Sequence, residues 1–302
     1  MRQLAMTGST GLIGTALRQR LLAEGWSVLR LVRHERRSDE EVRWDPSGRI
    51  PIAKEDVAKL CSSDAVVHLA GENVAGGLWT KERMQRIRDS RVRGTKTLVA
   101  ALATCEQKPG IFLSASAVGF YGDRRDEVLT ETSARGDGFL AEVCQEWEMA
   151  SVQASQHGIR TVITRFGVAL DAQGGALAKM LPAFRLGLGA SLGNGKQWIP
   201  WVSLYDVVNA LVWLLNSAEA EGLYNVVAPN PVTQKRFADA LAAAVHRPRL
   251  FSAPAFLLRA VAGKMSDEAL LASERVVPAR LQQQGFAFRD AEIGSALRRI
   301  LP

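Results

Sequence analysis

Short apolar runs alternate with longer amphipathic stretches through the first 170 residues. Leu4–Met6 is one such run, and Ala16, Leu17, Leu21 and Leu22 then recur at helical spacing, marking a helix near Gly14–Ala23. The stretches WSVLRLV (Trp26–Val32), AVVHLAG (Ala65–Gly71), GIFLSASAV (Gly110–Val118) and RTVITRFGVAL (Arg160–Leu170) read as further strands. Helical patterns near Trp79–Ala103 and Phe139–His157 lie between them. Strand, helix, strand at this spacing predicts crossover units, and therefore a parallel α/β sheet with helices on both faces. Residues 1–170 form one expected unit. Past Leu170 the segments DAQGGALAKM and RLGLGASLGNGKQ turn glycine-rich and irregular, the texture of a lid. WVSLYDVVNALVWLLN and GLYNVVA predict a helix and a strand that return residues 203–227 to the sheet. The remainder of 171–302 is expected to form a smaller, mostly helical substrate-side region.

The first strand and first helix meet in TGSTGLIG, with Gly8, Gly11 and Gly14 at the turn. A tight strand-to-helix turn presents bare backbone N–H groups to a phosphate, so the pattern predicts a Rossmann-type, doubly wound sheet holding a dinucleotide. Nineteen residues after Gly14, where an NAD site usually carries an acid for the ribose 2′-OH, stands Arg33, followed by His34, Arg36 and Arg37. A guanidinium there suits a 2′-phosphate; the other reading is a solvated basic turn.

Two further places carry candidate chemistry. Met84, Ile87, Leu98 and Leu102 form an apolar stripe that includes Arg91 at helical spacing. A buried arginine needs an anionic partner, either a cofactor phosphate or a carboxylate of the chain. In LSASAVGFYG (Leu113–Gly122), Ser114 and Ser116 alternate with alanines, so both hydroxyls face one side, and Tyr121 follows. The loop either supplies hydroxyls to a reaction or merely lets the backbone pass close to a ligand.

Composition narrows the partners. A net charge of +7, from 38 Lys+Arg against 31 Asp+Glu, fits an anionic small molecule or a nucleic acid. No aromatic-basic pattern or zinc motif supports nucleic acid. No apolar run is long enough to span a bilayer, and the first strand begins too early to leave room for a signal peptide. Cys61, Cys105 and Cys144 lack metal-type spacing and are expected as reduced thiols in a cytoplasmic protein.

TGSTGLIG, AVVHLAG, RVRGTKTL, LSASAVGFYG, ITRFGVAL and YNVVAPNPVT together resemble the extended short-chain dehydrogenase/reductase superfamily. SASAVGFYG, RLGLG and GNGKQWIPW resemble its atypical subgroup, the epimerase family. LLASERVVPARLQQQGFAF resembles that subgroup's C-terminal domain of unknown function, about 250–300. Some of its members carry a label as cell-division inhibitors, which these residues do not themselves support. The resemblance implies NADP(H) as cofactor, with Gly8, Thr10, Gly11, Leu12, Ile13 and Gly14 around the pyrophosphate. It implies Arg33 at the 2′-phosphate, Leu69 and Ala70 beside the adenosine, Arg91 near the cofactor and Val168 at the nicotinamide end.

Catalytic members of that superfamily carry a Tyr-x-x-x-Lys pair beginning about 25 residues after an active-site serine. Counted from Ser116, Phe139 and Val143 occupy those positions. A phenyl ring has no proton to give. Two expectations follow: an NADP(H)-dependent oxidoreductase or epimerase-like enzyme using Ser116 and Tyr121 instead, or a protein that binds NADP(H) without turnover as a redox sensor or docking module. The residues name neither the substrate nor the oligomeric state.

Overall fold

The computed structural model describes residues 2–301. Seven parallel strands form its main sheet. β1 (Gln3–Thr7), β2 (Ser27–Val32) and β3 (Glu41–Arg43) run outward to one edge. β4 (Ala65–His68), β5 (Ile111–Ala117) and the strands Arg160–Phe166 and Gly222–Val226 run outward to the other. Ala5 pairs in register with Leu29 on one side and with Val66 on the other, so the strand order reverses at β1. That reversal opens the crevice in which doubly wound sheets hold nucleotides.

Side-chain alternation sorts the core into two layers. On one face, Leu4, Met6, Val67 and Leu113 meet Leu17 and Leu21 of α1 (Leu12–Ala23) and Leu211 and Leu214 of the Leu204–Asn216 helix. On the other, Ala5, Leu29, Val66 and Phe112 meet Leu60 of α2 (Lys54–Cys61), Leu98 and Leu102 of α3 (Lys81–Ala103) and Ala154 of α4 (Phe139–Gln156). Burial on both faces explains why the strands read as continuous apolar runs. β3 and α2 escape the apolar pattern because both are short and largely charged.

The Arg160–Leu170 run is two strands. The chain leaves the sheet at Gly167, and Val168–Leu170 instead pairs with Trp201–Ser203. A second core gathers around Trp201 from Leu177 and Leu181, Phe237 and Leu241, and Ile293 and Leu297, on three separate helices. Residues 275–290 do not stay with it. Arg275–Val276 pairs with Val128–Leu129, Leu281 and Phe286 bury in the sheet's own core, and the Asp206 carboxylate accepts the N–H groups of Arg289 (3.0 Å) and Asp290 (2.8 Å). The C-terminal segment thus straps the second core back onto the sheet.

One expectation is corrected here. Cys61 and Cys105 form a disulfide joining α2 to the end of α3, and Cys144 is the free cysteine among the described residues. A separation of 44 residues carries no recognisable spacing, so the reading as three thiols had no signal against it. Among the described residues no helix is long and apolar enough to cross a membrane.

Candidate functional site

The three glycines do different work. Gly8 has φ +69°, and a Cβ there would lie 2.7 Å from the Leu69 carbonyl carbon. A Cβ on Gly14 would lie 2.1 Å from the Gly8 oxygen. These two let the turn close on itself and against the end of β4. Gly11 is exposed, and a Cβ would meet only the Gly8 oxygen, at 3.4 Å, so its open side faces the crevice. Thr10 is exposed beside it, and Leu12 and Ile13 are half-buried in the first turn of α1. α1 has no side-chain cap and no acid in its first turn, whereas Thr80 caps α3 by accepting from the Arg83 N–H. Its first N–H groups are free for an anion.

The far wall is held by a buried histidine that sequence reasoning passed over. Thr7 Oγ1 accepts from the N–H groups of Leu69 (3.1 Å) and Ala70 (3.2 Å) and donates to His68 Nδ1 at 2.7 Å. Thr95 Oγ1 donates to the Arg91 carbonyl, so it accepts from His68 Nε2 at 3.0 Å. Burial, reinforced by the Arg91 charge, lowers the His68 pKa to about 3, and the ring stays neutral. The pinned Leu69–Ala70 backbone closes on Gly8, which places both residues at the turn.

Two guanidiniums at this edge have no carboxylate partner among the described residues. Arg33, just beyond β2, is exposed and unpaired among the described residues, while Arg30, Arg36 and Arg43 are engaged by Glu41, Asp56 and Glu35. Arg91 is half-buried, donates to the carbonyls of Glu72 (3.0 Å) and Ile87 (3.2 Å) and lies 5.2 Å from the Trp147 ring. It has no carboxylate partner among the described residues. A Cβ on Gly71 would come within 3.1 Å of its guanidinium, so Arg91 lies against the loop that follows β4.

The end of β5 is closed. Ser114 and Ser116 do face one side, and that side is α4: Ser114 bonds Ser151 at 2.8 Å, and Ser116 donates to Glu148 at 2.6 Å. Glu148 also receives a two-pronged contact from Arg165, at 2.8 and 2.7 Å. Arg165 Nη1 donates to the Tyr121 hydroxyl (2.9 Å), whose single proton has two acceptors in reach, Asn225 Oδ1 (2.7 Å) and the Thr130 carbonyl (2.9 Å). Tyr121 is fully buried, and burial raises its pKa against the pull of Arg165. Ser116 and Tyr121 are thus joined in one network under the loop, with no hydroxyl turned to the open edge.

The α4 face toward this loop carries Leu140 and Cys144, one residue beyond the positions counted from the sequence. Leu140 would meet a Cβ on Gly119 at 3.3 Å, and the Cys144 thiol interacts with the Ala117 backbone. Phe139 instead packs edge-on to Trp79 at 5.2 Å, and Val143 is buried. Neither pair holds a phenol or an ammonium group. Burial drives the Cys144 thiol up to about 12. Val168 is half-buried opposite, on the strand held by Trp201.

Over this end of the sheet lie two adjoining clefts of about 310 and 270 Å³ that share Asp123, Arg259 and Leu271. Lys196, Gln197 and Ser273 line the first, and Leu140 and Glu268 the second. Glu268 caps α4 by accepting from the Leu140 N–H at 2.8 Å. The C-terminal segment therefore covers this end of the sheet.

A profile of the NAD dependent epimerase/dehydratase family matches residues 4–227, and a domain of unknown function, DUF1731, matches 253–300. An epimerase family protein of Mycobacterium bovis is 41% identical over 295 residues, covering 97% of this chain and 96% of the relative. The crystal structure of the human epimerase family protein SDR39U1 with NADPH superposes with a TM-score of 0.89 at 31% identity, covering 99% of each chain. A nucleoside-diphosphate sugar epimerase of Corynebacterium glutamicum gives 0.80 at 37% identity, covering 99% of this chain and 58% of the other.

Proposed function

This chain belongs to the NAD dependent epimerase/dehydratase family, and from that premise we propose that it is an NADPH-using oxidoreductase or epimerase-like enzyme for a small carbonyl, hydroxyl or sugar-type substrate. The observation that carries the reading is Arg33: an exposed guanidinium with no carboxylate partner among the described residues, just beyond β2, which pairs with the β1 strand that leads into the uncapped α1. A 2′-phosphate would bind the first and a pyrophosphate the second. The human relative solved with NADPH supports the same cofactor. Gly8, Thr10, Gly11, Leu12, Ile13 and Gly14 would surround the pyrophosphate, Leu69 and Ala70 the adenosine side, and Arg91 and Val168 the nicotinamide half.

When bound, NADPH supplies a hydride. The chain's residues hold the dinucleotide and must place a proton on the substrate oxygen. Ser116 and Tyr121 would reach a substrate only if their network opened. A second reading, NADP(H) binding without turnover, is favoured by one observation: Leu140 and Cys144 stand where a proton-transferring pair would face the substrate.

Titration with NADPH and NADH, followed by NADPH absorbance against aldehydes, ketones and keto-sugar nucleotides, tests the proposal. Preference for NADPH and loss of its absorbance with one class of carbonyl are expected. Preference for NADH overturns the Arg33 argument, and tight NADPH binding without turnover selects the second reading.

A further inference from the structure

We infer that one face of the region beyond Leu170 docks on a membrane surface carrying anionic phospholipid headgroups. Two stretches of chain build the face, residues 185–192 and 247–264. Phe251 pairs in register with Ala190, and Ala253 with Leu192. The Arg247 guanidinium donates to the Arg185 carbonyl at 2.9 Å, so the two stretches lie side by side. The helix Ala255–Ala262 follows at once after Pro254.

Large apolar side chains stand in water along this face. Leu186 is 74% exposed, Leu250 75%, Phe256 67% and Val261 76%. In the helix, Ala255, Leu258 and Ala262 are the half-buried and buried positions, at i, i+3 and i+7. Phe256, Leu257, Ala260 and Val261 form the exposed stripe. The helix thus turns its larger apolar groups outward, the reverse of one that packs on a core. Half of the large apolar residues exposed among the described residues fall in these two stretches, and such clustering marks an interaction surface.

Charge selects the occupant. Residues 172–205 and 240–266 contain no aspartate or glutamate, although the chain carries 31 of them, and they supply seven lysines and arginines. Asp239 and Asp267, just outside these segments, are taken up by Arg249 and Arg259. Arg185, Arg247 and Lys264 stay exposed with no carboxylate partner among the described residues. A second copy of the chain fits poorly, because a two-fold contact would set this patch against itself and each cation near another. A peptide needs a groove, whereas side chains this exposed project from the surface. Apolar groups projecting beside unpaired cations suit a bilayer surface: the first enter the headgroup boundary, and the second meet lipid phosphates. Ala255 and Arg259 of the same helix line the first cleft, so the docked face borders the candidate site.

Flotation of the intact protein with vesicles tests the assignment, comparing pure phosphatidylcholine with a mixture containing about one third phosphatidylserine. Binding to the mixed vesicles alone, released by high salt, is expected. Each cation at such a surface is worth about fivefold in partitioning, so R247E combined with K264E should weaken binding by at least about 25-fold. F256E combined with V261E should weaken it by about tenfold or more, since two apolar anchors are lost. Both pairs stand at exposed positions away from the glycine turn, so NADPH affinity and circular dichroism should not change. Equal binding to both vesicles, binding to neither, or binding that the variants leave intact overturns the inference. Sedimentation velocity without lipid identifies the rival: a self-associated protein that V261E dissociates, and that ignores vesicles, makes the face a contact between copies and overturns the membrane assignment.

Discussion

The two halves of the sheet's open edge treat their polar groups in opposite ways. Around β1, β2 and β4, donors are left free: the first turn of α1 lacks a side-chain cap, and Arg33 has no acidic partner among the described residues. Around β5 and the Arg160–Phe166 strand, Ser116, Tyr121, Glu148 and Arg165 satisfy one another. Folding leaves a strong donor open where a ligand completes it and closes a network where the scaffold needs stiffness. By that contrast we read the first half as a binding surface and the second as a support; Glu274 of the C-terminal segment is buried as well, and burial with the Asp123 charge raises its pKa to about 8.

The largest effect should come from opening the closed half. Arg165→Leu leaves Glu148 buried without its partner, which costs about 3–5 kcal/mol of stability. Urea denaturation should show that loss, with NADPH affinity of the folded fraction unchanged. A protein of normal stability that binds NADPH poorly would move the network into the binding site and erase the contrast.

Next in size is the staple beneath the open half. Closing the chain between Cys61 and Cys105 restricts the unfolded state, worth about 2–4 kcal/mol for a loop of this class. Cys105→Ser, or added reductant, should lower the denaturation midpoint and leave cofactor affinity alone. A midpoint indifferent to reductant means the two thiols are free in solution.

The open half should respond in affinity and not in stability. Arg33→Asp removes a charge-assisted contact worth roughly 1.5–3 kcal/mol, about ten- to a hundredfold in NADPH affinity. NADH binding should hold or improve, and the melting temperature of the apo protein should stay within error. Equal losses for both cofactors would make Arg33 a part of the fold.

The contrast also explains what could be read from the chain. The glycine turn and the crossover pattern are local, with a period or a spacing that burial imposes directly, so the sheet and its crevice were legible. The closed half was not. Ser116 and Tyr121 had the right chemistry, but only Glu148, Arg165 and Asn225, distant in sequence, show that their hydroxyls are spent on the fold. His68 gave no signal either, since one histidine at the end of an apolar strand looks the same whether it binds a ligand or pins a loop. The count to Phe139 and Val143 could not show that Leu140 and Cys144 turn toward the loop, because the connection between β5 and α4 sets the phase of the helix. Glu274 lay in a stretch singled out only as unusual.

The smallest expected effect separates Glu274 from its region through pH. Glu274 is held near 8 in the fold against an ordinary 4.5, so the folded protein carries the extra proton between those values. Its contribution is complete below 4.5 and is lost as pH rises through 8. His68 has the opposite sign: held at about 3 against 6.5, it contributes above 6.5 and its contribution is lost as pH falls toward 3. The two slopes oppose each other between 4.5 and 6.5 and cancel there. From 6.5 to 8 only Glu274 remains, which amounts to at most roughly 2 kcal/mol at about 1.4 kcal/mol per pH unit. Unfolding free energy measured by urea at half-unit steps should therefore decline across that window in the wild type and stay flat in E274Q. Below 4.5 both proteins should lose stability together through His68. Parallel curves above 6.5 would mean that Glu274 is already ionised in the fold.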